Sequence, residues 1–120
     1  MPRDIITEIR DRKHFTDLLL ENPGLLIIKF GAEWCSPCKL IEDDVKKAFD
    51  TMPDNVQCAI IDIDNNFDVY AYLKTKKMIS GIPAILCYSD DNTDFCPNEF
   101  HSGSDKTKLK EFFNRCMKLL

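Results

Sequence analysis

Apolar positions along the chain fall into two kinds of block. Residues 25–30 form a continuous apolar run broken only by Lys29, and residues 56–63, largely apolar, read as another buried strand. Such runs mark strands covered on both faces, as at the centre of a parallel sheet. Elsewhere the apolar residues follow helical spacing. Leu40, Ile41, Val45 and Phe49 do so within a helix predicted over about 35–51. Leu109, Phe112, Phe113 and Cys116 fall at i, i+3, i+4 and i+7 in a last helix capped by Ser104. Asp11 predicts the cap of a helix over 12–21, with Phe15, Leu18 and Leu19 on its apolar side. Asn22-Pro23-Gly24 stops that helix, and Met52-Pro53-Asp54-Asn55 stops the next. Asp64 or Asn65 caps a helix reaching about Leu73. Gly81-Ile82-Pro83 leads into a strand over 84–88, turn residues fill 89–93, and a returning strand lies within 95–101.

The short β-branched stretch 4–9 predicts one more strand at the start. The order is then β-α-β-α-β-α-β-β-α. Helices between strands imply parallel pairing with right-handed crossovers, and the closing hairpin makes the sheet mixed. The expectation is one α/β domain over residues 1–120, a central mixed sheet with helices on both faces.

Composition narrows the function classes. A chain of 120 residues fits one domain and buries enough surface to fold without a metal or disulfide staple. The formal net charge of −4 argues against a nucleic-acid binder that works by neutralising phosphates. No run approaches the ~18 apolar residues of a membrane span. Arg3, Asp4, Glu8 and Arg10 interrupt the first segment, leaving no apolar core of a signal peptide. Of the six cysteines, Cys58, Cys87 and Cys116 sit inside apolar runs, where a free thiol behaves as a small hydrophobe. That placement suits a reducing compartment, and a cytoplasmic location is expected. Cys87 and Cys96 are expected to stay free rather than to bridge the hairpin.

The chemistry concentrates in Trp34-Cys35-Ser36-Pro37-Cys38-Lys39, between a buried strand and a helix. Cys35 falls at the helix N-terminus, where unpaired N–H groups and the macrodipole favour an anion. The thiolate is the nucleophile of disulfide exchange, so the placement lowers the pKa where reactivity needs it. Cys38, three positions on, faces the same way and can attack a mixed disulfide formed at Cys35. Pro37 suits the first turn and preorganises it, next to Ser36. The competing reading, half of a zinc site, lacks two ligands: His14 and His101 are not placed as a pair, and no second CxxC exists.

WCSPCK after a buried strand, followed downstream by GIPA before another strand, resembles the thioredoxin family over nearly the whole chain. The resemblance implies the thioredoxin fold, ping-pong exchange with protein disulfides, and electrons from an NADPH-dependent flavoprotein reductase. It implies no bound cofactor beyond a redox-active Cys35–Cys38 disulfide, no metal, no nucleic acid, no membrane, and a monomer. By position it makes Pro83 a cis proline facing the dithiol and gives the Ile82 backbone to an extended substrate. It also packs Trp34 beside the cysteines and assigns Gly103 to the docking surface. The alternative is a binding module of the same fold whose dithiol does not turn over.

The chain departs from the family at one charged position. Aligned through Glu33-Trp34-Cys35, the family's buried acid corresponds to Lys29, and its lysine partner on the next strand to Ile60. Burial disfavours the Lys29 charge. A charge retained ~6 Å from a thiolate would attract it by about 3 kcal/mol at an effective dielectric of ~20, about two pKa units as an upper figure. Lys29 is therefore expected either to stabilise the thiolate and make the dithiol more oxidising, or to carry its ammonium along the long stem to a surface acid and leave the dithiol barely affected. Glu42, four residues after Cys38, and Glu33 are the candidates for a base acting through water. Lys74, Lys76 and Lys77 form a basic run suited to steering acidic partners, or simply a solvated helix end.

Overall fold

Three largely apolar strands set the frame. The structure, a computed structural model, describes residues 2–120. Strand β1 (Leu25–Gly31) pairs in parallel with β2 (Val56–Asp62) and antiparallel with β3 (Ala84–Ser89). Strand β4 (Glu99–Ser102) returns antiparallel to β3, giving a mixed sheet in the order β2-β1-β3-β4. Helices α1 (Arg12–Leu20) and α3 (Phe67–Thr75) cover one face, and α2 (Ser36–Asp50) and α4 (Lys106–Met117) the other.

Alternation along β1 sorts its side chains between two cores. Leu26, Ile28 and Phe30 join Phe15, Leu19, Val69 and Leu73 under α1 and α3. Leu25 and Ile27 join Ile41, Val45, Phe49, Leu109 and Phe112 under α2 and α4. Burial on both faces is why the strand reads as a run that is apolar except at Lys29. Lys29 falls on the α2 face by the same alternation.

The expected first strand reduces to one bridge. Ile6 donates its N–H to the Cys58 carbonyl at 3.0 Å and accepts from Ile60 N–H at 2.9 Å, parallel to β2. Its neighbours are held by side chains instead of a ladder. Gln57 Nε2 donates to the Asp4 carbonyl at 2.9 Å, and the buried Ile9 N–H donates to Asn66 Oδ1 at 2.9 Å. Asn66 Nδ2 donates in turn to the Asp62 carbonyl, so Asn66 ties the N-terminal segment to the end of β2 instead of capping α3, whose first residue it precedes. The cap of α3 thus falls beyond the expected Asp64 or Asn65.

The other caps follow the sequence closely. The Asp11 carboxylate accepts from His14 N–H at 2.8 Å to start α1. Asp105, one residue after the expected Ser104, accepts from the N–H groups of Thr107 and Lys108 to start α4. Leu40 was expected on the apolar face of α2 but is 61% exposed. Adjacent helical positions point about 100° apart, and Ile41 takes the core position.

Candidate active site

The site is built where β1 ends and α2 begins. Cys35 is the N-cap residue of α2, in extended conformation, and its Sγ accepts the Cys38 N–H at 3.2 Å. Sulfur here occupies the position where a Ser or Asp oxygen usually satisfies an orphan N–H. A negative charge on that sulfur would be stabilised by the same N–H and by the positive end of the helix. Ser36 and Pro37 form the first turn, and Pro37 there loses no intrahelical bond. Cys35 and Cys38 are joined as a disulfide with their Cα atoms 5.3 Å apart, and both residues are buried.

Close approach of the second sulfur explains one glycine. A Cβ placed on Gly31 would lie 3.3 Å from Cys38 Sγ. The last residue of β1 therefore has to be small for the first turn of α2 to sit against it.

Opposite the disulfide is the turn before β3. The Ile82–Pro83 peptide is cis, and Cys35 Sγ lies 3.8 Å from the Ile82 carbonyl oxygen. The Pro83 carbonyl accepts the Gly103 N–H at 3.0 Å. Gly103 has φ +91°, a left-handed conformation that side chains other than hydrogen rarely adopt. His101 supports this turn and was not singled out as a site residue in the sequence. Its Nε2–H donates to the Gly103 carbonyl at 3.0 Å, and the residue is buried beside Phe112. Its only sequence signal is a histidine two residues before a glycine at a strand end.

Burial pushes the His101 imidazole below its ordinary 6.5, with the Gly103 carbonyl bond opposing. A histidine lowered by folding binds fewer protons in the folded chain than in the unfolded one. Stability is then full above 6.5 and declines as the pH falls from there towards the folded value. Urea midpoints should decline between about pH 7 and 6, before most carboxylates titrate, and His101→Gln should flatten that decline.

Trp34 stands largely exposed beside the start of α2 in the chain. The indole is 67% exposed and its Nε1 donates to Asp64 Oδ2 at 2.9 Å, so Asp64 fixes its direction. Asp64 is a second residue whose part in the site was not read from the sequence. Glu33 is exposed in the loop before Trp34.

Lys29 is buried, paired in the sheet between Ile60 and Ile85. A half-open cavity of about 370 Å³ lies beside it, lined by Lys29, Gly31, Cys38, Glu42, Ile60 and Asp62 among others. Burial lowers the Lys29 pKa from its ordinary value, Glu42 raises it and Lys46 lowers it further. Glu42 sits one turn beyond Cys38 at the edge of this cavity, its carboxylate 3.7 Å from Lys46 Nζ. Of the basic run, Lys74 lies over the Tyr70 ring and Lys76 between Tyr72 and Phe95. The remaining thiols are unpaired: Cys58, Cys87 and Cys116 are buried and Cys96 is exposed. Burial pushes the Cys58 thiol up to about 12, which leaves it unreactive at neutral pH. Among the described residues no group of three or more His, Cys, Asp or Glu side chains could hold a metal ion.

Fold and site together define a class: an α/β domain presenting a dithiol–disulfide pair at a helix N-terminus, across from a cis-proline turn. The chain belongs to the thioredoxin family, whose family model, Thioredoxin, matches residues 6–115. It is 30% identical over 107 residues to a thioredoxin of Buchnera aphidicola, covering 87% of this chain and 89% of that one. It is 29% identical over 86 residues to the protein disulfide-isomerase like 2-2 of Arabidopsis thaliana, covering 72% of this chain. A Fasciola hepatica thioredoxin structure superimposes with a TM-score of 0.72 at 26% identity, covering 92% of this chain and 98% of that one. The chain spans only 18% of the Arabidopsis protein, and 60% of the mammalian mitochondrial thioredoxins that it also matches.

Proposed function

We propose that the protein is a thiol–disulfide oxidoreductase that reduces protein disulfides through Cys35 and Cys38. Cys35 thiolate attacks a substrate disulfide, forming a mixed disulfide and releasing one substrate thiolate. Cys38 then attacks Cys35 Sγ, closing the Cys35–Cys38 disulfide and releasing the second substrate thiolate. The observation that carries this reading is the Cys35 sulfur held as N-cap of α2 at 3.2 Å from the Cys38 N–H, already bonded to the sulfur that resolves it.

The substrate would lie extended along the Ile82–Pro83 turn, using the Ile82 backbone, with exposed Trp34 on one side and Gly103 on the other. Electrons would return from an NADPH-dependent flavoprotein reductase, as in thioredoxins generally. Three buried unpaired thiols support work in a reducing compartment, the cytoplasm, as a monomer. Insulin reduction driven by dithiothreitol tests the activity. Precipitation of the freed B chain should run well ahead of the dithiothreitol blank; a rate equal to the blank overturns the reading.

A further inference from the structure

Lys29 is the one lysine, arginine or carboxylate buried among the described residues, at 5% exposure. It makes none of the ion pairs found among those residues. Its position relative to the two sulfurs is set by Gly31. The Cβ site of that glycine is 3.3 Å from Cys38 Sγ and 3.9 Å from Lys29 Cε, so sulfur and carbon are separated by no more than those two distances together. The ammonium is one bond further, at the wall of the cavity that Cys38 also lines. Cys38 and not Cys35 lines this cavity with Lys29, whereas the α2 cap serves Cys35.

We infer that Lys29 is a positioning charge for the resolving thiol, favouring the Cys38 thiolate so that the second half of the exchange needs no carboxylate base. This rests on the oxidoreductase reading above. In the mixed disulfide, the Cys38 S–H gives its proton to solvent through the cavity. The Cys38 thiolate forms the bond to Cys35 Sγ, and the bond from Cys35 Sγ to the substrate sulfur breaks. That electron pair leaves on the substrate thiolate, which solvent protonates.

The charges facing this space come from each element around it. Lys39 and Glu42 project from α2, Glu33 from the loop before it and Asp62 from β2. The carboxylates oppose a thiolate, but none lies on the Lys29 strand. Burial lowers the Lys29 pKa and Lys46 adds to that, while Glu42 works to keep the charge. A full charge ~7 Å from the sulfur at an effective dielectric of ~20 lowers a thiol pKa by about one to two units.

The test isolates Cys38 in a Cys35→Ser, Cys96→Ser background, which removes the other accessible thiols. The pH profile of iodoacetamide alkylation at Cys38, read on its peptide, is compared with and without Lys29→Met. The Cys38 pKa should rise by about one unit in Lys29→Met and in Lys29→Gln, and return most of the way in Lys29→Arg. In the otherwise intact chain, release of the second thiol from a mixed disulfide should slow about threefold at pH 7. A tenfold loss of thiolate per unit is partly offset by the greater nucleophilicity of the more basic sulfur. An unchanged Cys38 pKa in both neutral variants overturns the inference. If the wild-type chain fails to reduce insulin while the shift is present, the effect of Lys29 on the Cys38 thiolate stands, and the oxidoreductase reading falls together with the part Lys29 plays in exchange.

Discussion

Replacing Cys35 with serine is expected to abolish insulin reduction, bringing the rate down to the dithiothreitol blank. The N-cap geometry that stabilises a thiolate at neutral pH cannot ionise a hydroxyl, whose proton is far more tightly held. The cap itself should survive, because a serine oxygen accepts the Cys38 N–H at least as well as sulfur does. Circular dichroism and thermal midpoint should therefore stay near those of the reduced wild type while turnover disappears. Loss of activity together with loss of fold would assign Cys35 a structural part instead. Reduction still well above the blank in a folded Cys35→Ser chain would move the nucleophile elsewhere.

The second large effect is on stability. Phe112 is fully buried in α4 and packs against Phe113 and His101. Phe112→Ala should cost about 3–5 kcal/mol, the lost transfer of the ring plus the cavity left behind. A domain of this size has roughly 5–15 kcal/mol in total, so the urea midpoint should fall by about a fifth or more. The same truncation withdraws the ring beside His101, which holds the Gly103 carbonyl. Activity at temperatures where the variant remains folded should drop modestly through a raised KM. A urea midpoint within experimental error of wild type would contradict the packing described.

Much of this was legible in the residues. Leu25 to Phe30 and the strand from Val56 could only be buried strands, and Asp11 marked its helix start, because each signal is local. What escaped depends on contacts distant in sequence. The stretch around Ile6 has the composition of a strand, yet Gln57 and Asn66 take the backbone groups of Asp4 and Ile9 that a longer ladder would have used. Leu40 and Ile41 are neighbours that cannot both face the core, and spacing alone does not choose between them. Ser104 and Asp105 are both capable caps, and only the helix geometry selects Asp105.

The dithiol was the clearest feature of the site, since strand, CxxC and helix follow one another without a gap. The turn opposite it was named from the family resemblance. Its supports were not visible: His101 beneath Gly103 and Asp64 beside Trp34 are brought in by the sheet and by the β2–α3 connection. Lys29 was legible as a charge on a buried strand. That it shares a cavity with Cys38 emerges only from how closely α2 packs on Gly31.

Everything proposed for turnover requires Cys35 to strike first and Cys38 to resolve. A Cys38→Ser chain, reduced and then mixed with a disulfide-bonded protein, puts this to the test by peptide mapping of the trapped adduct. The account expects one substrate polypeptide joined through Cys35, stable until a reductant is added. An adduct on Cys96, or none at all under conditions where wild type turns over, would contradict it.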